Sequence, residues 1–175
     1  VVVGKHQVAM AEINPLFVNG NDIRVLRRLS GGGAVFHDNG NLNFSFHKTV
    51  DDPAKISFGD FNLPVVELLN QLGVPAVISK RNDILINGLK VSGHAQHVFR
   101  NRILSHGTLL IDSDLEKLSK ALRKSFGIYE SKAIQSVLSS VANVSTFLKN
   151  QLSAGQFCEI LNNHLLKVVK GAEEY

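Results

Sequence analysis

Apolar positions along this chain switch between strand-like and helix-like spacing, and the switches mark out its elements. Residues 1–3 (VVV) read as the visible end of a buried strand closed by Gly4. Residues 23–29 (IRVLRRL) predict a strand, 30–33 a tight loop and 34–37 a short extended piece. A strand over 42–47 then places Leu42, Phe44 and Phe46 on one face. Asn62 followed by Pro64 marks a helix start, because proline in the first turn has no amide left unbonded. Val65, Leu68, Leu69 and Leu72 recur on one side of that helix until Gly73 ends it. Residues 83–86, Asn87-Gly88 and residues 89–92 spell a hairpin, since Asn-Gly accepts the positive φ angles of a two-residue turn. Residues 109–111 predict a further strand. Ser113 with Glu116 predicts a capping box for a helix running through Arg123, and Ser153 with Gln156 does the same for residues 157–170. Strands joined mostly as hairpins, with helices between them, predict an α+β fold: a mixed, largely antiparallel sheet with flanking helices.

The length of 175 residues suits one domain spanning the whole chain, since domains commonly run roughly 100–200 residues. The one cysteine, Cys158, excludes an internal disulfide framework and a four-thiolate zinc site, and fits a reducing compartment. Charged residues make up 19% and mean hydropathy is +0.06, a globular composition with a slight apolar excess. No stretch approaches the roughly 18 apolar residues of a membrane-spanning helix, and VVVGKHQ does not read as a signal peptide. An opening in mid-strand, without Met, reads as a truncated chain. Lys and Arg number 19 against 15 Asp and Glu, giving +4 and a pI near 9.3, which favours an anionic partner. Nucleic acid is the weaker candidate: no Lys/Arg run exceeds two, aromatics are 7%, and no zinc-finger or RNA-recognition signature occurs. A small phosphorylated ligand fits better.

Three segments carry candidate chemistry. In the first, Arg27-Arg28-Leu29-Ser30-Gly31-Gly32-Gly33-Ala34-Val35-Phe36-His37-Asp38, successive glycines let main-chain amides approach an anion, and the arginines could add bidentate positive charge. It reads equally as a glycine-rich turn beside a solvated arginine pair, and it matches neither a P-loop nor a dinucleotide fingerprint. In the second, residues 80–93, Lys90 lies on the returning strand of the hairpin, either as a rigid cation facing a pocket or as an ordinary exposed strand lysine. Asn82 and Asp83 could hold a hydrated Mg2+ or merely cap the turn into the strand. The third, Ser105-His106-Gly107-Thr108-Leu109-Leu110, brings a histidine to a strand, where a structural role is the commoner one.

Together the three segments resemble the lipoate–protein ligase A family of the biotin/lipoate ligase superfamily. Its pattern RRxSGGGAV[FY]HDxGNxN stands at residues 27–43, including Gly40-Asn41-Leu42-Asn43. RND, KxSG and HGTLL follow at Arg81-Asn82-Asp83, Lys90-Val91-Ser92-Gly93 and residues 106–110. VVVGKHQ and Glu12-Ile13-Asn14 are similar to a further family segment. The resemblance implies a biotin/lipoate ligase catalytic-domain fold truncated at both ends, with no accessory C-terminal domain. It implies ATP-dependent activation of lipoate to lipoyl-AMP, then transfer to a lysine on lipoyl carrier domains of 2-oxoacid dehydrogenase complexes or the glycine cleavage H protein. ATP, lipoate and Mg2+ are the implied small molecules, neither nucleic acid nor membrane is an implied partner, and the cytoplasm, or the mitochondrion in a eukaryote, is the implied location.

The resemblance also assigns roles. Lys90 is the implied catalytic residue, bridging the acid's carboxylate and the α-phosphate. Ser30, Gly31, Gly32, Gly33, His37 and Gly93 are implied lipoate-binding residues. Arg28, Gly33, Val35, Phe36, His37, Asp38, Asn41, Asn82, Asp83, Lys90 and Thr108 are implied nucleotide-binding residues, with Asp83 also implied at the metal. Val3, Leu29, Val35 and Phe36 are candidate walls for the acyl chain, or ordinary core. Where family ligases often show SVRSRVTN, this chain has Leu138 and Ser140 in place of two arginines, and His97 stands where some have arginine beside the substrate. That departure brings in one rival, a lipoyltransferase using preformed lipoyl-AMP, and the expected truncation at both ends brings in a second, a non-catalytic lipoate- or carrier-binding remnant. An octanoyltransferase would need a nucleophilic cysteine, and Cys158, between Phe157 and Leu161 on an amphipathic helix, reads as a small core residue.

Overall fold

The computed structural model describes residues 1–122 and 133–169. Strands β1 (Val2–Val3) and β2 (Leu26–Arg27) pair in parallel, and Val35 bridges Val2. Between the two run helices α1 (Ala9–Glu12) and α2 (Pro15–Gly20); the side chain of Asn14 caps α2 by accepting from the Phe17 amide. The strand expected over 23–29 shortens to two residues because only residues 1–3 lie alongside to pair with it.

Strand β3 (Asn41–Thr49) pairs antiparallel along its whole length with β8 (Arg102–Leu110), whose other edge carries β7 (His94–Phe99). The strand expected at 109–111 is therefore the end of a longer one. Its buried positions include Ser105 and Gly107, so the apolar alternation that announces a strand is broken. Strands β4 (Ala76–Ile78), β5 (Ile84–Ile86) and β6 (Leu89–Ser92) form a second antiparallel ladder. Asn87 and Gly88, at φ 49° and 79°, make the predicted two-residue turn between β5 and β6.

Helix α3 (Leu63–Gln71) buries Val65, Val66, Leu68 and Leu69 and ends before Gly73, whose φ is 79°. Helix α4 (Leu115–Ala121) starts one residue later than expected. Asp114, not Ser113, is its cap, its carboxylate accepting from the Lys117 amide at 2.8 Å, and the expected extension to Arg123 lies outside the described residues. Helix α5 (Ala154–Val168) carries the predicted capping box of Ser153 and Gln156, and Lys170 lies outside the described residues. Cys158 on α5 is exposed rather than in the core, because the buried stripe of that helix runs through Phe157, Leu161 and His164.

Two apolar clusters hold these parts together. The larger joins α3, the second ladder and α5 through Leu69, Ile84, Ile86, Val91 and Phe157, with Phe44 and Leu109 from the long strands. Each such side chain contributes about 1.5–3 kcal/mol by leaving water. The smaller, of Val1, Val3, Ile13, Val18, Phe36 and Ala121, anchors the segment that follows the triple glycine. The glycine loop thus springs from one cluster and the Lys90 strand from the other.

Candidate active site

A cavity of about 530 Å³ lies between the glycine loop and the outer face of the β3–β8–β7 ladder. Alternation along the strands aims Asn43 and Ser45 of β3 and His106 and Thr108 of β8 into it, while Leu42 and Phe46 pack toward the core as expected and Phe44 joins the core cluster and also lines the cavity. Of the residues expected at a site, Arg28, Gly32, Gly33, Val35, His37, Asp83, Lys90, Gly93 and Thr108 line this one cavity.

Lys90 reaches the cavity from β6. Its amide donates to the Ser140 carbonyl at 2.9 Å, and its carbonyl accepts from the Ala142 amide at 3.0 Å, while β5 lies along its other edge. Its Nζ stands 2.9 Å from Asp83 Oδ1, the two side chains being 27% and 15% exposed. A Cβ on Gly93 would lie 3.5 Å from that Nζ, in ordinary van der Waals contact, so Gly93 stands directly beside the ammonium. Asn82, at φ 62°, turns the chain so that Asp83 enters β5 facing Lys90; its carbonyl accepts from Asn62.

The glycine loop is held by Arg28 from within. Nε donates to Ser30 Oγ at 3.1 Å, Nη1 to the Val2 carbonyl at 3.2 Å, and Nη2 to the carbonyls of Gly31 and Gly33 at 2.6 and 2.7 Å. A guanidinium has five N–H donors, so Arg28 keeps one Nη1 hydrogen for a ligand and spends the rest on loop shape. Gly32 has φ 86°, which favours glycine, and a Cβ on Gly4 would lie 2.1 Å from the Gly32 carbonyl oxygen. Two glycines far apart in sequence therefore meet main chain to main chain.

Buried Ser30 pairs with His106 Nε2 at 2.6 Å, tying the loop to β8. Burial, and then the Arg28 charge, lowers the His106 pKa. His94 pairs with Ser105 at 2.6 Å, and burial followed by the neighbouring His106 lowers its pKa to about 4. Burial likewise lowers the pKa of His37, whose Nε2 is buried without a hydrogen-bond partner among the described residues. The cavity wall thus presents neutral imidazoles beside the charges of Arg28, Arg81 and Lys90.

Several expected residues sit elsewhere. Ser30 and Gly31 lie behind the wall, and Phe36 and Val3 are buried in the smaller cluster. Leu29 is 71% exposed and walls nothing. Asp38 is used in local structure, accepting from the Gly40 amide at 2.9 Å and the Asp114 amide at 2.7 Å. Asn41 bonds Asn43 at the start of β3. His97 lines a separate hollow, two residues along β7 from the cavity-lining Ala95. Leu138 is 88% exposed, and Ser140 serves the site through its carbonyl alone.

Sequence reasoning assigned no role to Ser136, which lines the cavity. Its Oγ accepts from the Ala34 amide at 2.9 Å and from Gln7 Nε2 at 3.1 Å, and its amide donates to Glu12 Oε2 at 3.1 Å. Gln7 also accepts from the Gly4 amide at 2.9 Å. Gln7 and Glu12, both buried, were visible as polar residues in an apolar opening segment, but their partner lies more than a hundred positions away.

The sequence model of the lipoyl protein ligase A/B catalytic domain matches residues 1–166. Lipoate-protein ligase LplJ of Bacillus subtilis is 46% identical over 165 residues, covering 94% of this chain and 50% of that protein. The chain thus spans about half the length of the curated relatives it matches. A solved bi-partite lipoate protein ligase, studied with its E2 lipoyl domain from Thermoplasma acidophilum, superposes with a TM-score of 0.77 at 29% identity, over 95% of this chain and 66% of that one. A lipoate-protein ligase A bound with ATP gives 0.78 at 29% identity, over 95% and 67%. With its cavity, its strand lysine and its glycine loop in this arrangement, the chain belongs to the lipoyl protein ligase A/B catalytic domain family.

Proposed function

We propose that this chain carries the catalytic centre of an ATP-dependent lipoate–protein ligase. The observation that carries the reading is the meeting of the Lys90 ammonium with Gly32 and Gly33 in one cavity, beside the Asp83 carboxylate. Activating an acid with ATP brings a carboxylate against a polyanion. A fixed cation between them lowers the repulsion and holds the attacking oxygen in line with the α-phosphorus. The carboxylate oxygen bonds to that phosphorus as the bond to pyrophosphate breaks. A lysine amine of the carrier domain then attacks the acyl carbon, gives up a proton and displaces AMP, whose charge Lys90 again neutralises. The acid's chain lies against Val2, Val35, Ala95 and Phe44, and the unpartnered His37 Nε2 offers the ligand a polar contact. Ser30 and Gly31 act through the loop they shape.

Mg2+ has no cage among the described residues: no cluster of three or more His, Cys, Asp or Glu side chains could hold it, and Asp83 is already held by Lys90. It belongs to this proposal as an ion carried on the nucleotide phosphates with Asp83 nearby, and the chain's own residues account for the chemistry above. No helix among the described residues is long and apolar enough to cross a membrane. The proposed acceptor is a lipoyl carrier domain.

A second reading, transfer from preformed lipoyl-AMP without ATP, is favoured by one observation: an exposed Leu138, not an arginine, beside cavity-lining Val137. Lipoate-dependent exchange of labelled pyrophosphate into ATP separates the two. Exchange supports the ligase. Lipoyl transfer from lipoyl-AMP with no exchange replaces it by the transferase.

A further inference from the structure

The sheet face that floors the cavity continues past the glycine loop. On β8, Thr108, His106, Leu104 and Arg102 point to one side by strand alternation. Their partners are Asn43, Ser45, His47 and Thr49 on β3, with Ala95, His97 and Phe99 on β7 facing the last three. The loop crosses this face at the His106 row, where Ser30 bonds His106 and a Cβ on Gly32 would lie 3.7 Å from that of Ala95. Beyond the crossing, a separate hollow of about 200 Å³ opens over the rows of Leu104 and Arg102.

This hollow is basic and unpaired. His47, His97 and Arg102 face it, Lys48 borders it from the alternate position of β3, and no acidic residue stands among its described walls. Neither Lys48 nor Arg102, nor Arg100 at the hairpin tip, makes an ion pair among the described residues. Phe99 is 60% exposed at its rim, with the Arg100 guanidinium 5.3 Å from the ring centroid. An exposed aromatic flanked by arginines is the composition of an interface anchor.

We propose that this hollow docks the acyl-accepting carrier protein through an acidic patch beside its target lysine. The proposal rests on the ligase reading, since only a transfer reaction needs a folded acceptor here. Four residues of β8 separate Leu104 from Thr108, about 13 Å at a rise of roughly 3.3 Å per residue. A standard interface covers roughly 800 Å² per partner, a patch about 30 Å across. A carrier with its lysine at Lys90 therefore reaches the hollow, and its acidic groups find Arg100 and Arg102 without an ion-pair partner among the described residues.

The test uses the full-length protein with Arg102→Glu and, separately, Phe99→Ala. Carrier binding is measured by titration calorimetry, carrier KM by transfer, and acid KM by pyrophosphate exchange. Arg102→Glu is expected to weaken carrier binding and raise carrier KM at least tenfold while acid KM stays within twofold, and a carrier with an acidic surface residue changed to Lys should regain binding to this variant. Phe99→Ala should weaken carrier binding with the same indifference to acid. Unchanged carrier binding in both folded variants overturns the proposal, and so does a rise in acid KM alone, which would make the hollow part of the acid site. Wild-type protein that neither exchanges pyrophosphate nor transfers a lipoyl group brings down the ligase reading itself, and the docking proposal with it.

Discussion

Lys90 Nζ and Asp83 Oδ1 face each other at 2.9 Å across the β5–β6 hairpin, so the one carboxylate among the described residues of the cavity wall holds the ammonium at its edge. Replacing Lys90 by Ala should therefore lower lipoyl transfer by about 10²–10³-fold, the usual cost of removing one preorganised stabilising donor. Far-ultraviolet circular dichroism should be unchanged. Undiminished transfer by a folded Lys90→Ala protein would remove the basis of the mechanism.

Gly4→Ala should disturb the site from a distance. Its Cβ would lie 2.1 Å from the Gly32 carbonyl oxygen, a main-chain atom that moves only if the glycine loop moves. A loss of about 2 kcal/mol is expected from such overpacking, lowering Tm by roughly 4–8 °C at this chain length. Thermal denaturation followed by circular dichroism measures it, and an unshifted Tm would mean that the two segments do not touch.

Ser136→Ala removes the acceptor used by the Ala34 amide and by Gln7. Leaving buried donors unsatisfied costs about 1–3 kcal/mol. Chemical denaturation should show that loss, whereas Ser139→Ala, at an exposed residue of the same segment, should change stability by less than about 0.5 kcal/mol. Equal effects of the two substitutions would refute the interlock.

Acid should weaken the fold through His94. Its pKa falls from 6.5 in the unfolded chain to about 4 in the folded one, chiefly by burial. Between those values the unfolded chain binds the extra proton, so stability present above pH 6.5 is lost as pH falls toward 4. His94→Gln should flatten that part of the profile of stability against pH. A slope unaltered by the substitution would assign the acid sensitivity to other groups.

How much of this was legible in the sequence depended on whether the cause was local. The Asn87-Gly88 turn, the box of Ser153 and Gln156, and the helix between Asn62 and Gly73 follow from neighbours a few residues apart, and all three form. The long strand β8 was read only at its end, because the residues it buries include Ser105 and Gly107. Helix α4 slipped by one residue because Asp114, rather than the equally suitable Ser113, is positioned by Asp38 from another part of the chain. The structure brings Lys90, Asp83, Gly32 and Gly33 of the motifs, though not Gly31, to one cavity. Motif spacing could not tell which motif residues face the cavity and which brace it: Asp38 and Ser30 turned inward to main-chain and side-chain partners, and Ser136, first residue of the segment set against SVRSRVTN, was given no role because its partners lie far away in the chain.

One consequence follows from the way β6 is gripped along both edges. With Lys90's amide and carbonyl engaged on one side and β5 on the other, the torsions left loose near this residue are those of its aliphatic stem. A lysine side chain holds about 2 kcal/mol of rotamer entropy, and salt-bridging to Asp83 has already surrendered part of it before any ligand arrives. Substrates therefore meet an ammonium whose freezing was partly completed when the protein folded, and more of their binding energy remains available for straining toward the transition state.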